Sequence, residues 1–154
     1  MAVVGPADAT PEISALAEDV GRRLAEAGAV VITGGLGGVM AAASRGAKLA
    51  GGLTVGLLPG RDRDTANEWL DVAIPTGLAE LRNALVAGSA AAVIAVGGSW
   101  GTLSELAFAR RLGRTVITLR SWQVLDETGA AVPESFTVAP DAETAVALAL
   151  ASQA

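Results

Sequence analysis

The 154-residue sequence contains no cysteine, no histidine and no tyrosine. Without cysteine there is no disulfide, no thiol nucleophile and no thiolate metal site. Without histidine, a Ser-His-Asp triad, an imidazole base and a histidine-ligated metal are excluded, so no metal site is expected. Lysine occurs once, at Lys48, on the helical face opposite Val39, Ala43 and Ala50 and close to Arg45. It is expected in solvent, which speaks against pyridoxal phosphate chemistry. Positive charge in excess is also missing: the net charge of −5 argues against binding duplex nucleic acid through its phosphates.

What is present is apolar and glycine-rich. Hydrophobic residues make up 51% of the chain, charged residues only 18%, and there are 19 glycines, so intrinsic disorder is excluded. The length suits one domain, over 1–154, with a core that needs no staple. No basic segment precedes an apolar one near the start, so no secretory signal is expected. Residues 83–104 carry no charge and are long enough to mimic a membrane span. Gly88, Gly97, Gly98 and Gly101 interrupt that run, with Ser89, Ser99 and Thr102 between them. It reads as a helix end, a buried strand and a glycine loop, in a soluble, cytoplasmic protein.

Short apolar runs alternate with helix-length Ala/Leu segments, the rhythm of βαβ units around a parallel sheet. Strands are expected over 1–5, 29–33, 53–58, 70–75, 91–96, 115–119 and 136–138. Helices are expected from Thr10-Pro11 to Gly28, from 38 to about 50, and over 78–87, 102–112 and 141–151, with loops over 61–68 and 120–133. The fold class is therefore α/β: a doubly wound, mostly parallel sheet of six or seven strands with helices on both faces. In such sheets ligands bind beyond the carboxyl ends of the strands, where the strand order reverses. The loops in question are 5–10, which opens with Gly5-Pro6, 33–38 and 97–102.

Gly34, Gly35, Leu36, Gly37 and Gly38, followed by Val39 and Met40, join a buried strand to a helix. Glycines there let backbone N–H groups and the helix dipole approach an anion, and four of them exceed what a tight turn requires. No Walker pattern is present. The dinucleotide fingerprint is incomplete, because Met40 stands where the third glycine belongs and the next strand ends Leu58-Pro59 without a ribose-binding acid. A nicotinamide cofactor is disfavoured.

The second loop contains Gly97, Gly98, Ser99, Trp100, Gly101 and Thr102, and leads to Glu105. Two readings of Glu105 stay open. Thr102-Leu103-Ser104-Glu105 matches a capping box; alternatively, Glu105 lies at the mouth of a pocket, where it meets ribose hydroxyls or a developing oxocarbenium ion. Arg82 has only Leu78, Ala79, Leu85 and Val86 as helical neighbours, so it must find an anion elsewhere or snorkel to water. Trp100 either stacks on a base or pterin or fills a subunit contact. Arg61-Asp62-Arg63-Asp64 reads as a self-compensated surface loop. Association into oligomers is expected from apolar surface left by Ala-rich helices such as 141–151.

The segment Thr33-Gly34-Gly35-Leu36-Gly37-Gly38-Val39-Met40 with Gly46-Ala47, then Gly51 to Gly56, then the loop ending at Glu105, resembles the LOG-like Rossmann (SLOG) superfamily. The resemblance runs from Met1 to about Trp122. That superfamily includes phosphoribohydrolases acting on cytokinin nucleoside monophosphates, often mislabelled lysine decarboxylases. It also includes molybdenum cofactor carrier proteins and relatives of DNA-processing protein A.

The hydrolase motif P-G-G-x-G-T-x-x-E is altered here: Val96 replaces the proline, Ser99-Trp100 fills the single x, and Arg82-Asn83 replaces an Arg-Lys pair. The form G-G-x-x-G-T-x-x-E looks most like the carrier branch. The resemblance thus implies binding of a small phosphorylated ligand, a molybdopterin-type cofactor or a nucleoside monophosphate, in a homodimer or homotetramer. Its alternative is hydrolysis of the N-glycosidic bond of a nucleoside 5′-monophosphate, with Glu105 and Arg82 as the catalytic pair.

Overall fold

A computed structural model describes residues 1–132 and 136–152. The chain runs β1 (Ala2–Val4), α1 (Pro11–Glu26), β2 (Val31–Thr33), α2 (Val39–Leu49), β3 (Thr54–Leu58), β4 (Val72–Pro75), α3 (Arg82–Gly88), β5 (Ala92–Val96), α4 (Trp100–Arg111), β6 (Thr115–Leu119), β7 (Thr137–Val138) and α5 (Ala142–Ala151). Single 3₁₀ turns cover Arg63–Thr65 and Ala79–Leu81. The strands form one sheet in the order β4-β3-β2-β1-β5-β6-β7, and every pairing is parallel.

The expected elements are present with shifted ends. Thr10 caps α1 by accepting the Ile13 N–H, and Pro11 follows at the first helical position. The helix expected over 78–87 divides, because Ala79 adopts a φ of +47° and opens a 3₁₀ turn before Arg82 begins α3. The last helix obtains its cap from Asp141, which accepts the Thr144 N–H at 2.8 Å. Pro133, the expected end of the loop after β6, lies outside the described residues. The uncharged run 83–104 resolves into most of α3, the fully buried β5 and the start of α4. Among the described residues, no helix is long and apolar enough to cross a membrane.

Two apolar layers hold the sheet. On one face Ala17, Val20, Leu24, Ala43 and Ala47 of α1 and α2 pack with Ala142, Ala145 and Ala149 of α5 on Val3, Val31 and Ile94. On the other, Val86 and Ala87 of α3 and Leu106 and Ala109 of α4 cover Val4, Val93 and Val116. The helix over 141–151 sits against α1, β5 and β6 and gives Ala142, Ala145 and Ala149 to the core. Ala147 and Ala151 stay exposed and Leu148 and Leu150 half-buried, so the apolar surface expected there is present but made of small side chains. Larger exposed apolar side chains occur at Leu81, Leu85, Phe108 and Leu112.

Helices α1 and α2 cross at close range because two glycines face backbone. A β-carbon on Gly21 would lie 2.0 Å from the Ala43 carbonyl oxygen, and one on Gly46 would lie 2.0 Å from that of Glu18. Alanine normally favours a helix over glycine by ~1 kcal/mol. Here the direction reverses: Gly21→Ala and Gly46→Ala are each expected to destabilise by about 1–3 kcal/mol through overpacking, as measured by urea unfolding.

Candidate ligand-binding cleft

The strand order places β1 and β5 side by side while their following helices depart to opposite faces of the sheet. This is the topological switch point at which a crevice must open. A cavity of about 160 Å³ lies there, lined by Gly5, Ala7, Leu36, Met40, Glu80, Arg82, Asn83, Ser99, Gly101, Thr102 and Glu105. A wider hollow of about 540 Å³ lies between α1 and α2. Its Arg22 already pairs with Asp19 and Glu26, so that surface offers no unsatisfied charge.

The first glycine loop meets the cleft through Leu36 and Met40. Among the described residues, the N–H groups of Leu36, Gly37 and Gly38 have no acceptor. Val39 stands apart: its side chain is buried in the core, and its N–H donates to the Pro6 carbonyl at 3.0 Å. Pro6 itself faces Gly97, and Gly5 is pressed against Val96 and Val39. Several glycines answer to the chain's own packing. Gly38 has a φ of +58° with the Pro6 carbonyl 2.3 Å from a would-be β-carbon; Gly35, at φ +79°, faces Leu58. Gly37 and Gly101 differ, since the nearest atoms to their β-carbon positions are 3.5 and 3.7 Å away. Those two have no packing requirement of that kind.

The second loop corrects the capping expectation. Gly97 turns at φ +65°, so α4 starts early, at Trp100, and Ser99 is its cap. Ser99 accepts the Thr102 N–H at 3.2 Å. Thr102 is therefore inside the helix, and Glu105 is released from any box to point into the cleft, where it is 6% exposed. The amides of Gly98, Ser99, Trp100 and Gly101 have no acceptor among the described residues. Trp122, which the sequence did not single out, braces this loop: its indole N–H donates to the Ser99 carbonyl at 3.0 Å, and its ring lies against Gly98. Trp100 is 78% exposed and tilts over Trp122 at 5.4 Å.

Arg82, at the start of α3, crosses the crevice to the first loop. A β-carbon on Gly34 would lie 2.1 Å from its Nη1, so Gly34 is the seat of the guanidinium. Arg82 is 6% exposed, and its Nε has no partner. Nη1 stands 3.9 Å from Glu105 Oε1, too far for a hydrogen bond. Burial lowers the Arg82 pKa, opposed by the charges of Glu105 and Glu80. Burial likewise pushes Glu105 up to about 8; Arg82 counteracts this and Glu80 adds to it. Asn83 donates to the Ser104 hydroxyl at 3.0 Å, tying α3 to α4 beneath the cavity. Glu80 carried no sequence signal, because only the tertiary fold brings it to the crevice; Asn83 was visible as the neighbour of Arg82, and Ala7 as part of the loop after β1.

The remaining candidates lie elsewhere. Lys48 pairs with Asp71 across the α2–β4 side, half-exposed. Asp62 accepts the Asp64 N–H to start a 3₁₀ turn. No ion pair forms among Arg61, Asp62, Arg63 and Asp64, so turn geometry rather than mutual compensation organises that loop. Among the described residues, no group of three His, Cys, Asp or Glu side chains is placed to hold a metal.

Comparison with known proteins now decides the family. The model of the SLOG cluster4 family matches residues 1–147. The chain belongs to the SLOG cluster4 family. It is 42% identical over 124 residues to an uncharacterised protein of Archaeoglobus fulgidus, covering 80% of this chain and 82% of that one. The molybdenum cofactor binding protein of Rippkaea orientalis superposes with a TM-score of 0.89 at 34% identity, over 99% of this chain and 96% of that one. The molybdenum cofactor carrier protein of Chlamydomonas reinhardtii gives 0.82 at 31% identity, over 99% and 96%. The carrier-like branch that the resemblance implied for this SLOG cluster4 chain agrees with those neighbours.

Glu105 leaves a thermodynamic signature. Its carboxyl releases a proton near 4.5 when unfolded but near 8 when folded. The folded state thus binds more protons over that interval, and stability falls as pH rises through it. Between pH 5 and 8 the wild type is expected to lose up to ~1.4 kcal/mol per pH unit relative to Glu105→Gln, measured by urea unfolding at each pH. Parallel pH profiles for the two proteins would refute the assignment.

Proposed function

We propose that this SLOG cluster4 protein binds a small phosphorylated ligand of molybdopterin type in the β1–β5 cleft and carries it without transforming it. One observation carries the reading: Leu36, Ser99 and Gly101, whose amides have no acceptor among the described residues, line a single crevice together with Arg82, whose Nε has no partner. Amides at helix N-termini and a buried guanidinium are the donors that a phosphate requires. The likeness to molybdenum cofactor binding and carrier proteins supports the pterin class.

The residues fit such a group at its phosphate end. The Leu36–Gly38 amides and Arg82 would hold the phosphate, with Ser99 and Gly101 on the facing wall. The cofactor would supply its own metal coordination, since the chain has neither thiol nor imidazole to add. Trp100 offers an exposed ring beside the mouth.

One observation favours the hydrolytic alternative: Arg82 and Glu105 share the cleft. Its electrostatics favour the carrier. A carboxyl titrating near 8 is mostly neutral at pH 7 and gives little charge to a developing oxocarbenium ion.

A second copy of the chain is the partner we assign to the α3–α4 side. Leu81, Leu85, Phe108 and Leu112 are exposed there, and Val72 and Ile74 of edge strand β4 share the face of their partners Val55 and Leu57. Light scattering at micromolar concentration should report a dimer or larger species; a monomer alone contradicts this.

Produced in a host that makes molybdenum cofactor, the protein should release a stoichiometric oxidised pterin on denaturation, read by fluorescence. Gly37→Glu, whose side chain the fold has room for, should abolish it. Free base released from nucleoside 5′-monophosphates by wild type, but not by Glu105→Gln, would replace the carrier assignment with the hydrolase.

A further inference from the structure

The cleft contains a buried cation and a buried acid that do not bond to each other. A guanidinium and a carboxylate this close ordinarily contract into a hydrogen-bonded pair, often bidentate. Arg82 and Glu105 remain 3.9 Å apart, both 8% exposed at the side chain. Glu105 accepts no hydrogen bond among the described residues, and Arg82 Nε has no acceptor. Arg82 is fixed by its seat on Gly34, and Glu105 by the second turn of α4, so neither side chain is loose at the surface. Resting on the reading that this cleft receives an anionic ligand, we infer that an oxyanion enters between Arg82 and Glu105, with Arg82 supplying the charge and Glu105 donating a hydrogen bond as a neutral acid.

The charged groups around Glu105 leave this arrangement favoured. From α3 comes Arg82 and from the preceding 3₁₀ turn comes Glu80; Asn83, Ser99, Thr102, Leu36 and Met40 complete the lining without charge. An arriving anion adds a second negative charge beside Glu80, and like charges in a desolvated site disfavour ionisation of the carboxyl. The proton that Glu105 needs comes from solvent: when the carboxyl is ionised, the bound state forms by adding one anion and one proton, with no bond to the ligand made or broken. Because the free carboxyl already titrates near 8, the proton is largely in place at neutral pH and must be taken up only above it. The pair therefore selects a group with at least two acceptor oxygens, a phosphate ester, sulfate or carboxylate. A neutral sugar or base edge would leave the Arg82 charge unmatched.

The test uses AMP and inorganic sulfate as probes, titrated into the full chain between pH 7.5 and 9.5. In that range neither probe changes charge, because a phosphate monoester completes its second ionisation near 6. Affinity for both should fall towards tenfold per pH unit above 8. Calorimetry at pH 8.5 in buffers of different ionisation heat should show uptake of about 0.5–0.75 proton per anion bound. The ¹³C resonance of the Glu105 carboxyl should titrate higher in the presence of either probe. Glu105→Gln keeps a donor but cannot titrate, so its affinity should become independent of pH. A wild-type affinity that is flat with pH and without proton uptake overturns this inference while leaving an anion site in the cleft. A Glu105→Gln affinity that still falls tenfold per unit overturns it as well. Failure of both probes to bind at any pH overturns the reading of the cleft and this inference with it.

Discussion

The pairing of β1 with β5 is the constraint on which the rest depends. Val3 lies opposite Ile94 and Val4 opposite Ala95, yet α1 leaves β1 for one face and α4 leaves β5 for the other. Two chains that diverge from adjacent parallel strands cannot fill the space between them with their own helices. The gap is narrow because Gly5 permits the Val96 carbonyl to approach, at a place where a β-carbon would lie 2.4 Å from it. A side chain at position 5 would push the second loop away from the first and separate the two sets of amides.

Onto this crevice the fold adds one expensive feature. A buried guanidinium whose Nε has no acceptor, facing a carboxyl that does not bond to it, is unfavourable in an isolated chain. Gly34 makes room for two side chains at once, since a β-carbon there would lie 2.1 Å from Arg82 Nη1 and 2.6 Å from Met40 Sδ. Asn83 and Ser104 lock the base of α3 to α4 so that the arginine cannot withdraw easily. Strain of this kind is tolerated where a ligand completes the arrangement.

How much of this was legible in the sequence depends on the range of the interaction. The βαβ rhythm, the fully buried run 92–96 and the cap at Thr10 were legible, because each is set by neighbours within a few residues. Arg82 was legible as an arginine lacking a local carboxylate. The capping box at Thr102 misled because the pattern is satisfied equally well by a helix that begins three residues earlier, and only the positive φ of Gly97 decides where α4 starts. The apolar helix over 142–151 was legible as a helix, but composition does not reveal that Ala142, Ala145 and Ala149 are the residues that face the core. Glu80 reaches the cleft, and Trp122 braces its second loop, through tertiary contacts that no local spacing encodes. The two glycine loops were found for a reason only partly correct: several of their glycines serve close packing, and Gly37 and Gly101 stand out as the ones with room beside them.

The brace formed by Trp122 gives the molecule an optical property of its own. Its indole is clamped to the Ser99 carbonyl, on the very wall that faces the crevice, and Trp100 leans over it. The remaining tryptophan, Trp69, lies under the Arg45 guanidinium at 5.7 Å, on the α2 side of the sheet. Two of the three indoles are thus coupled to the second loop, while Trp69 is tied to the first: its backbone N–H donates to the Asn67 side-chain oxygen, and the Asn67 amide donates to the Leu36 carbonyl. A guest that shifts either loop alters the surroundings of an indole, so the unlabelled protein reports on its own occupancy.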